Sequence, residues 1–114
     1  MTTEPTPQIN NSPDLKVVPN HDASRYELWD GEQYIGFLGV EVLQDGTVDL
    51  QHTIISGAFG RRGYARTLVT RVLDDYRQRG LKVRVTCSYI QDYMRRFPSY
   101  RELLATTPDP RTRG

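Results

Sequence analysis

The sequence predicts an α/β fold: a mixed, mostly antiparallel sheet carrying one strand–helix–strand unit. Three observations predict it. Short apolar runs in the first half are punctuated by Asp30-Gly31 and Asp45-Gly46, which are hairpin signals. One long pattern of 3.6-residue period follows, from about Arg62 to Arg79. Between sheet and helix lies a basic turn, Ser56 to Ala65, with Gly57, Gly60 and Gly63 spaced through seven residues.

With 114 residues the chain is read as one domain over 14–106. Residues 1–13 hold three prolines and one aliphatic side chain, too little apolar surface to offset the entropy of ordering, and are read as a disordered tail. Residues 107–114 are polar and proline-punctuated and are read as a flexible tail. A single cysteine excludes an intramolecular disulfide and any cysteine-based zinc cluster. No metal is expected. No stretch approaches the roughly 20 apolar residues of a membrane span, and residues 1–14 contain no apolar run that would serve as a signal peptide. The expected compartment is the cytoplasm, and no membrane partner is expected.

The net charge of +1 hides an uneven distribution: Lys16 and Arg25 precede the turn, and the other thirteen of fifteen basic residues lie from Arg61 onward. A basic half implies an anionic partner, either a phosphorylated small ligand or a nucleic acid.

In chain order, Leu15 to Val18 forms a first strand and Ser24 to Trp29 a second, with Tyr26 and Leu28 opposite Trp29. A loop slightly longer than the tightest hairpin leads to a third, Tyr34 to Val42. Its apolar residues do not alternate, which predicts a central strand covered on both faces. Thr47 to Ile55 is the fourth. Strict alternation puts Val48, Leu50, His52 and Ile54 on one face and Asp49, Gln51, Thr53 and Ile55 on the other. The helix that follows shows Ala65, Leu68, Val69, Val72, Leu73 and Tyr76 on one stripe, with Gly80 as its stop. Lys82 to Cys87 is a fifth strand, parallel to the fourth because a helix joins them. Short helices over Ile90–Arg96 and Tyr100–Ala105 flank Pro98.

The turn carries the chemistry. Glycine admits positive φ and close approach to the backbone, and the first N–H groups of a helix have no internal partner. Together they make an anion site. Arg61 and Arg62 stand at the positive end of the helix dipole, unfavourable by about 0.3–1 kcal/mol until an anion binds. The other reading is a flexible loop with solvated arginines. Neither the P-loop nor the dinucleotide fingerprint is present.

His52-Thr53, two apolar residues, Phe59, Arg62-Gly63-Tyr64-Ala65 and Leu68-Val69 resemble the coenzyme A motif of the GNAT acetyltransferase superfamily, in its small single-domain branch. Gly80 to Val83, Cys87 to Ile90, Tyr93-Met94, Arg96, Pro98 and Tyr100 resemble the distal part of the same pattern. The resemblance implies a minimal GNAT-like fold and acetyl-CoA as cosubstrate, its acetyl group passing directly to an amine of unknown identity. It implies that the fourth and fifth strands splay around the pantetheine arm, faced by Thr53, Ile54 and Ile55. It places Arg61, Arg62, Gly63, Tyr64, Ala65 and Arg66 around the pyrophosphate. It implies an oxyanion donor near the Ile55 N–H and a tyrosine acid at Tyr93, with Tyr89 the alternate. Cys87 either lies beside the acetyl group, as a nucleophile or a substrate-side contact, or serves as a small buried side chain. His52 is a base or a structural histidine; His21 is solvent-exposed.

Two positions depart from the pattern. Gly60 precedes Arg61 where the order is usually reversed, and Ile54 stands where relatives often carry Glu. Three functions therefore compete: an N-acetyltransferase, an acyl-CoA-binding interaction module without catalysis, and a nucleic-acid binder. The tyrosines at 64, 76, 89, 93 and 100 could stack on bases, but core or cleft already accounts for most of them, so nucleic acid is not the expected partner. A monomer or weak dimer is expected.

Overall fold

The computed structural model describes residues 4–60 and 62–112. Five strands lie in sequence order across one sheet: β1 (Leu15–Asn20), β2 (Arg25–Asp30), β3 (Gln33–Val42), β4 (Val48–Ile55) and β5 (Val83–Val85). The first four pair antiparallel, and β5 joins β4 in parallel. Helix α1 (Tyr64–Arg79) supplies the crossover, and α2 (Ser88–Arg96) follows β5. The segment Pro98–Leu103 is a 3₁₀ helix rather than a helix over Tyr100–Ala105.

The hairpin between β2 and β3 is tighter than expected. Asp30 pairs with Gln33, so Gly31 and Glu32 make a two-residue loop, with Gly31 at φ 57°.

Both helices pack on one face of the sheet. Leu28, Leu38 and Leu50 meet Leu68, Val69, Val72 and Leu73 there, all with at most 2% of their surface exposed. Each such side chain contributes about 1.5–3 kcal/mol of burial. Of the predicted α1 stripe, Leu68, Val69, Val72, Leu73 and Tyr76 are buried and Ala65 half-buried, with Tyr64, Thr67 and Thr70 joining them; Tyr76 donates a hydrogen bond to the Tyr26 hydroxyl at 2.8 Å.

The other face carries no helix among the described residues. The broken alternation of β3 therefore has a different cause from two-sided cover. Leu28 pairs with Gly36 and Trp29 with Tyr34, so Ile35 is a bulge residue without a partner on β2. Tyr34 and Phe37 are half-buried by Trp29, His52 and Arg25 rather than by a second helical layer.

A second bulge overturns the face assignment of β4. Gly39 pairs with His52 and Val40 with Leu50, leaving Gln51 unpartnered. Val48 and Leu50 face the helices, but beyond Gln51 it is Thr53 and Ile55 that do so. His52 and Ile54 emerge on the open face, with Ile54 51% exposed.

Residues 4–14 cross α1: Asn10 N–H donates to Thr67 Oγ1, Arg71 donates to the Leu15 and Asn10 carbonyls, and Glu4 accepts from Ser99. No described helix is long and apolar enough to cross a membrane.

Candidate acyl-coenzyme A site

The site begins where β4 and β5 part. They pair only through Val48–Val83, Asp49–Arg84 and Leu50–Val85. The Thr86 and Cys87 N–H groups then both turn onto the Leu50 carbonyl, at 3.0 and 2.9 Å, and β5 ends. β4 continues for five more residues, still paired with β3 but with no described strand on its β5 side. Parallel strands joined this briefly open into a wedge, and β4 forms one wall.

The backbone of that wall is directed by the antiparallel ladder. Ser56 N–H donates to the Ile35 carbonyl at 2.9 Å, which makes Gly36–Ile55 a non-hydrogen-bonded pair. The N–H and C=O of Ile55 therefore point away from β3 and into the wedge. Two residues earlier, Thr53 does the same. Ile54 pairs its backbone with Phe37 and turns its side chain to the open face. Of the three residues expected along the cofactor arm, the wedge receives Thr53 and Ile55 but not the Ile54 side chain.

Past Ile55 the chain makes a 3₁₀ turn at Gly57–Phe59 and enters α1 through Gly63, which caps the helix at φ 75°. No side chain caps the helix N-terminus. Thr67 N–H reaches back to the Gly63 carbonyl, and the amides ahead of it are those a helix leaves without internal partners. Ile55, Phe59, Gly60, Gly63, Tyr64, Ala65, Arg66 and Tyr89 enclose a recess of about 280 Å³ against these amides. Arg62 is exposed beside it. Arg61 lies outside the described residues.

The two tyrosines weighed as acids part company. Tyr93 is 3% exposed, and its hydroxyl meets Thr70 Oγ1 at 2.7 Å between α2 and α1. The structure does not bring it into the recess. Tyr89 lines the recess and is 39% exposed. Burial raises its phenol pKa against the opposing pull of Arg66 and Arg96, so it stays protonated at neutral pH. Cys87 sits at the apex of the wedge, 5% exposed, with Sγ 3.6 Å from Thr53 Oγ1. It is thus both buried and adjacent to the β4 wall. His52 is exposed on the open face, edge-on to Phe37 with ring centroids 5.9 Å apart.

Arg96, named in the distal part of the sequence pattern but given no role there, stands two turns beyond Tyr89 on the same side of α2 and acts electrostatically on its phenol, as spacing i, i+7 allows. A second recess of about 250 Å³ lies at the opposite end of α1, between Tyr26, Tyr76 and Arg79. Its polar groups are already engaged: the two hydroxyls bond each other, and Arg79 pairs with Asp75.

A sheet with one parallel pair that splits into a wedge, closed by a helix N-terminus behind a glycine turn, agrees with what the sequence matches. Residues 25–103 fit the pattern of the GCN5-related N-acetyl-transferase family. The chain belongs to that family. Among curated relatives, Protein NATD1 of Xenopus tropicalis is 43% identical over 60 residues, covering 51% of this chain and 55% of that protein. Mouse Protein NATD1 is 42% identical over 59 residues, covering 50% and 54%. The chain thus spans about half the length of the curated relatives it matches. A Staphylococcus aureus protein described as GCN5-like, solved by NMR in solution, superposes with a TM-score of 0.62 at 16% identity, over 90% of this chain and 99% of that one. The likeness to the GNAT family in fold is therefore carried by the whole sheet and not only by the turn.

Proposed function

We propose that the chain binds acetyl-CoA in the wedge between β4 and β5 and transfers the acetyl group directly to an amine. The observation that carries this is the parting of the strands at Leu50, which leaves the Thr53 and Ile55 backbone groups unpaired in a cleft that runs into the α1 N-terminus. The pantetheine amides pair with that β4 edge. The pyrophosphate rests on the α1 amides between Gly63 and Arg66, with Arg61 and Arg62 adding charge.

In the transfer, the neutral acceptor amine attacks the thioester carbonyl, the C–S bond breaks, and the proton the nitrogen sheds passes through solvent to restore the phenol that has protonated the thiolate. The Ile55 N–H stabilises the oxyanion, and Tyr89 rather than Tyr93 donates the proton that the leaving thiolate takes. Cys87 borders the reacting carbonyl without forming a bond, since direct transfer needs no protein nucleophile.

Binding is tested by thermal shift. CoA and acetyl-CoA raise the midpoint and ATP does not; no shift at millimolar CoA would discard the proposal. Thiol release over a panel of amines then tests catalysis. Tyr89→Phe lowers turnover about a hundredfold with little change in CoA affinity, and Tyr93→Phe leaves turnover within a few-fold of wild type. The reverse ranking would return the acid role to Tyr93.

A second reading, an acyl-CoA-binding module without catalysis, draws support from Ile54. An aliphatic side chain half-exposed on the open face supplies no base for an acceptor. CoA binding with no thiol release from any amine would decide for it.

A further inference from the structure

The arginines divide by whether a carboxylate meets them. Arg25, Arg77, Arg79, Arg84, Arg95 and Arg111 each pair with Asp or Glu. Among the described residues, Arg62, Arg66, Arg71, Arg96 and Arg101 have no such partner; Arg71 is engaged by the Leu15 and Asn10 carbonyls, whereas Arg66 lines the recess at the α1 N-terminus, Arg62 precedes it in the turn and Arg96 follows Tyr89 by two turns on α2. Gathering cations without counter-charges is unfavourable in the empty protein and becomes favourable when an anion arrives.

The number and placement of these charges exceed what a pyrophosphate needs. The turn amides and Arg62 already face that group. Arg66 lines the recess from α1, and Arg96 stands on α2 about 10 Å along the helix from Tyr89, which lines it too. Helical side chains lean toward the N-terminus of their helix, the end of α2 at which Tyr89 lies. The Arg96 guanidinium stands over the Phe97 ring, 5.4 Å from the centroid, an exposed position from which a rotamer change brings it to an arriving phosphate. Both arginines also act electrostatically on the Tyr89 phenol, as groups sharing one small volume do.

We propose that Arg66 and Arg96 bridge α1 and α2 through a third phosphate, the 3′-phosphate on the ribose of coenzyme A. This rests on the acetyl-CoA reading above and adds to it a selectivity: the site distinguishes CoA from carriers that share pantetheine and pyrophosphate but lack that phosphate. Arg96 is exposed and makes no hydrogen bond to the rest of the chain among the described contacts, so its replacement tests binding without disturbing the fold.

The experiment is isothermal titration of wild type and Arg96→Ala with CoA, dephospho-CoA and adenosine 3′,5′-bisphosphate. Wild type binds CoA about tenfold more tightly than dephospho-CoA, the size of one charge-assisted contact. Arg96→Ala loses about tenfold toward CoA and the bisphosphate and nothing toward dephospho-CoA. Arg96→Lys recovers part of the loss. Equal affinity of wild type for CoA and dephospho-CoA, or an equal loss toward both in Arg96→Ala, overturns the assignment while leaving the cofactor reading intact. Failure of wild type to bind CoA at all removes the cofactor reading and this assignment together.

Discussion

Gly36 and Gly39 stand three residues apart on β3, and a methyl group added at each would meet different matter. At Gly36 it would overlap the Ile54 carbonyl oxygen and come within 2.9 Å of Ile55 Cα, both backbone atoms of the wall that borders the wedge. Backbone in a paired strand cannot step aside without breaking its ladder. At Gly39 the neighbour is the His52 imidazole, 2.6 Å away at Nε2, on an exposed side chain free to rotate. Gly36→Ala is therefore expected to lower unfolding free energy by about 1–3 kcal/mol. Gly39→Ala stays within about 0.5 kcal/mol of wild type. Urea denaturation of the two variants checks this, and equal costs would show that β4 yields where it borders the wedge. The same logic explains Ile54. Its aliphatic chemistry suggests a core position, but the neighbour it needs on that face is absent.

At the scale of elements, α1 is legible in its stripe and its glycine stop, while its start falls at Tyr64 rather than Arg62 because Gly63 caps it. The sheet order and the parallel pair followed from the turns and the crossover. What could not be read was the parity of β4. Alternation holds only while each residue has a partner, and nothing in Leu50-Gln51-His52 announces that Gln51 lacks one. One bulge moved Thr53 and Ile55 to the helix side and sent His52 and Ile54 to the open face. At the candidate site the bulge turns the Ile54 side chain away from the wedge, and nothing local announces that the Tyr93 hydroxyl is buried against Thr70; the path of the turn is legible, because glycines mark it. A bulge also bends its strand and sharpens its twist, which here coincides with the place where β4 leaves β5. Deleting Gln51 gives β4 an uninterrupted register with β3 and keeps every side chain on its present face. The straightened strand stays beside β5 and narrows the wedge. The expected result is a variant at least as stable as wild type that has lost CoA binding by tenfold or more. A variant that binds CoA as wild type does would show that the bulge does not shape the wedge.

At the scale of the whole molecule, the segment after the last 3₁₀ helix runs back along the sheet. Leu104 bridges to Val83, and Ala105 N–H donates to the Val83 carbonyl. Arg84 then holds the Thr107 and Pro108 carbonyls while pairing with Asp45, and Arg111 reaches Asp49, Glu41 and Asp109 on the open face. Asp109 is two positions from Arg111, but the other partners of Arg84 and Arg111 lie 23–70 positions away and local sequence names none of them. Two carboxylates report on the strap. Hydrogen bonds from Thr47 and Arg84 hold Asp45 down to about 2, and those from Arg111 hold Asp109 down to about 2, against an ordinary 3.8. A folded value below the unfolded one means that the contribution is complete above 3.8 and is lost as pH falls through about 2. The strap should therefore stay docked at pH 4 and above and release on approach to about pH 2. NMR amide signals of Ala105 and Thr112 would move in that window. In Arg111→Ala the Asp109 carboxyl loses its principal partner, so its titration rises toward 3.8 and Thr112 releases at higher pH, while Asp45 still titrates near 2. An Asp109 titration unchanged by Arg111→Ala would place the cause of its low value elsewhere and remove Arg111 as the fastening of the strap.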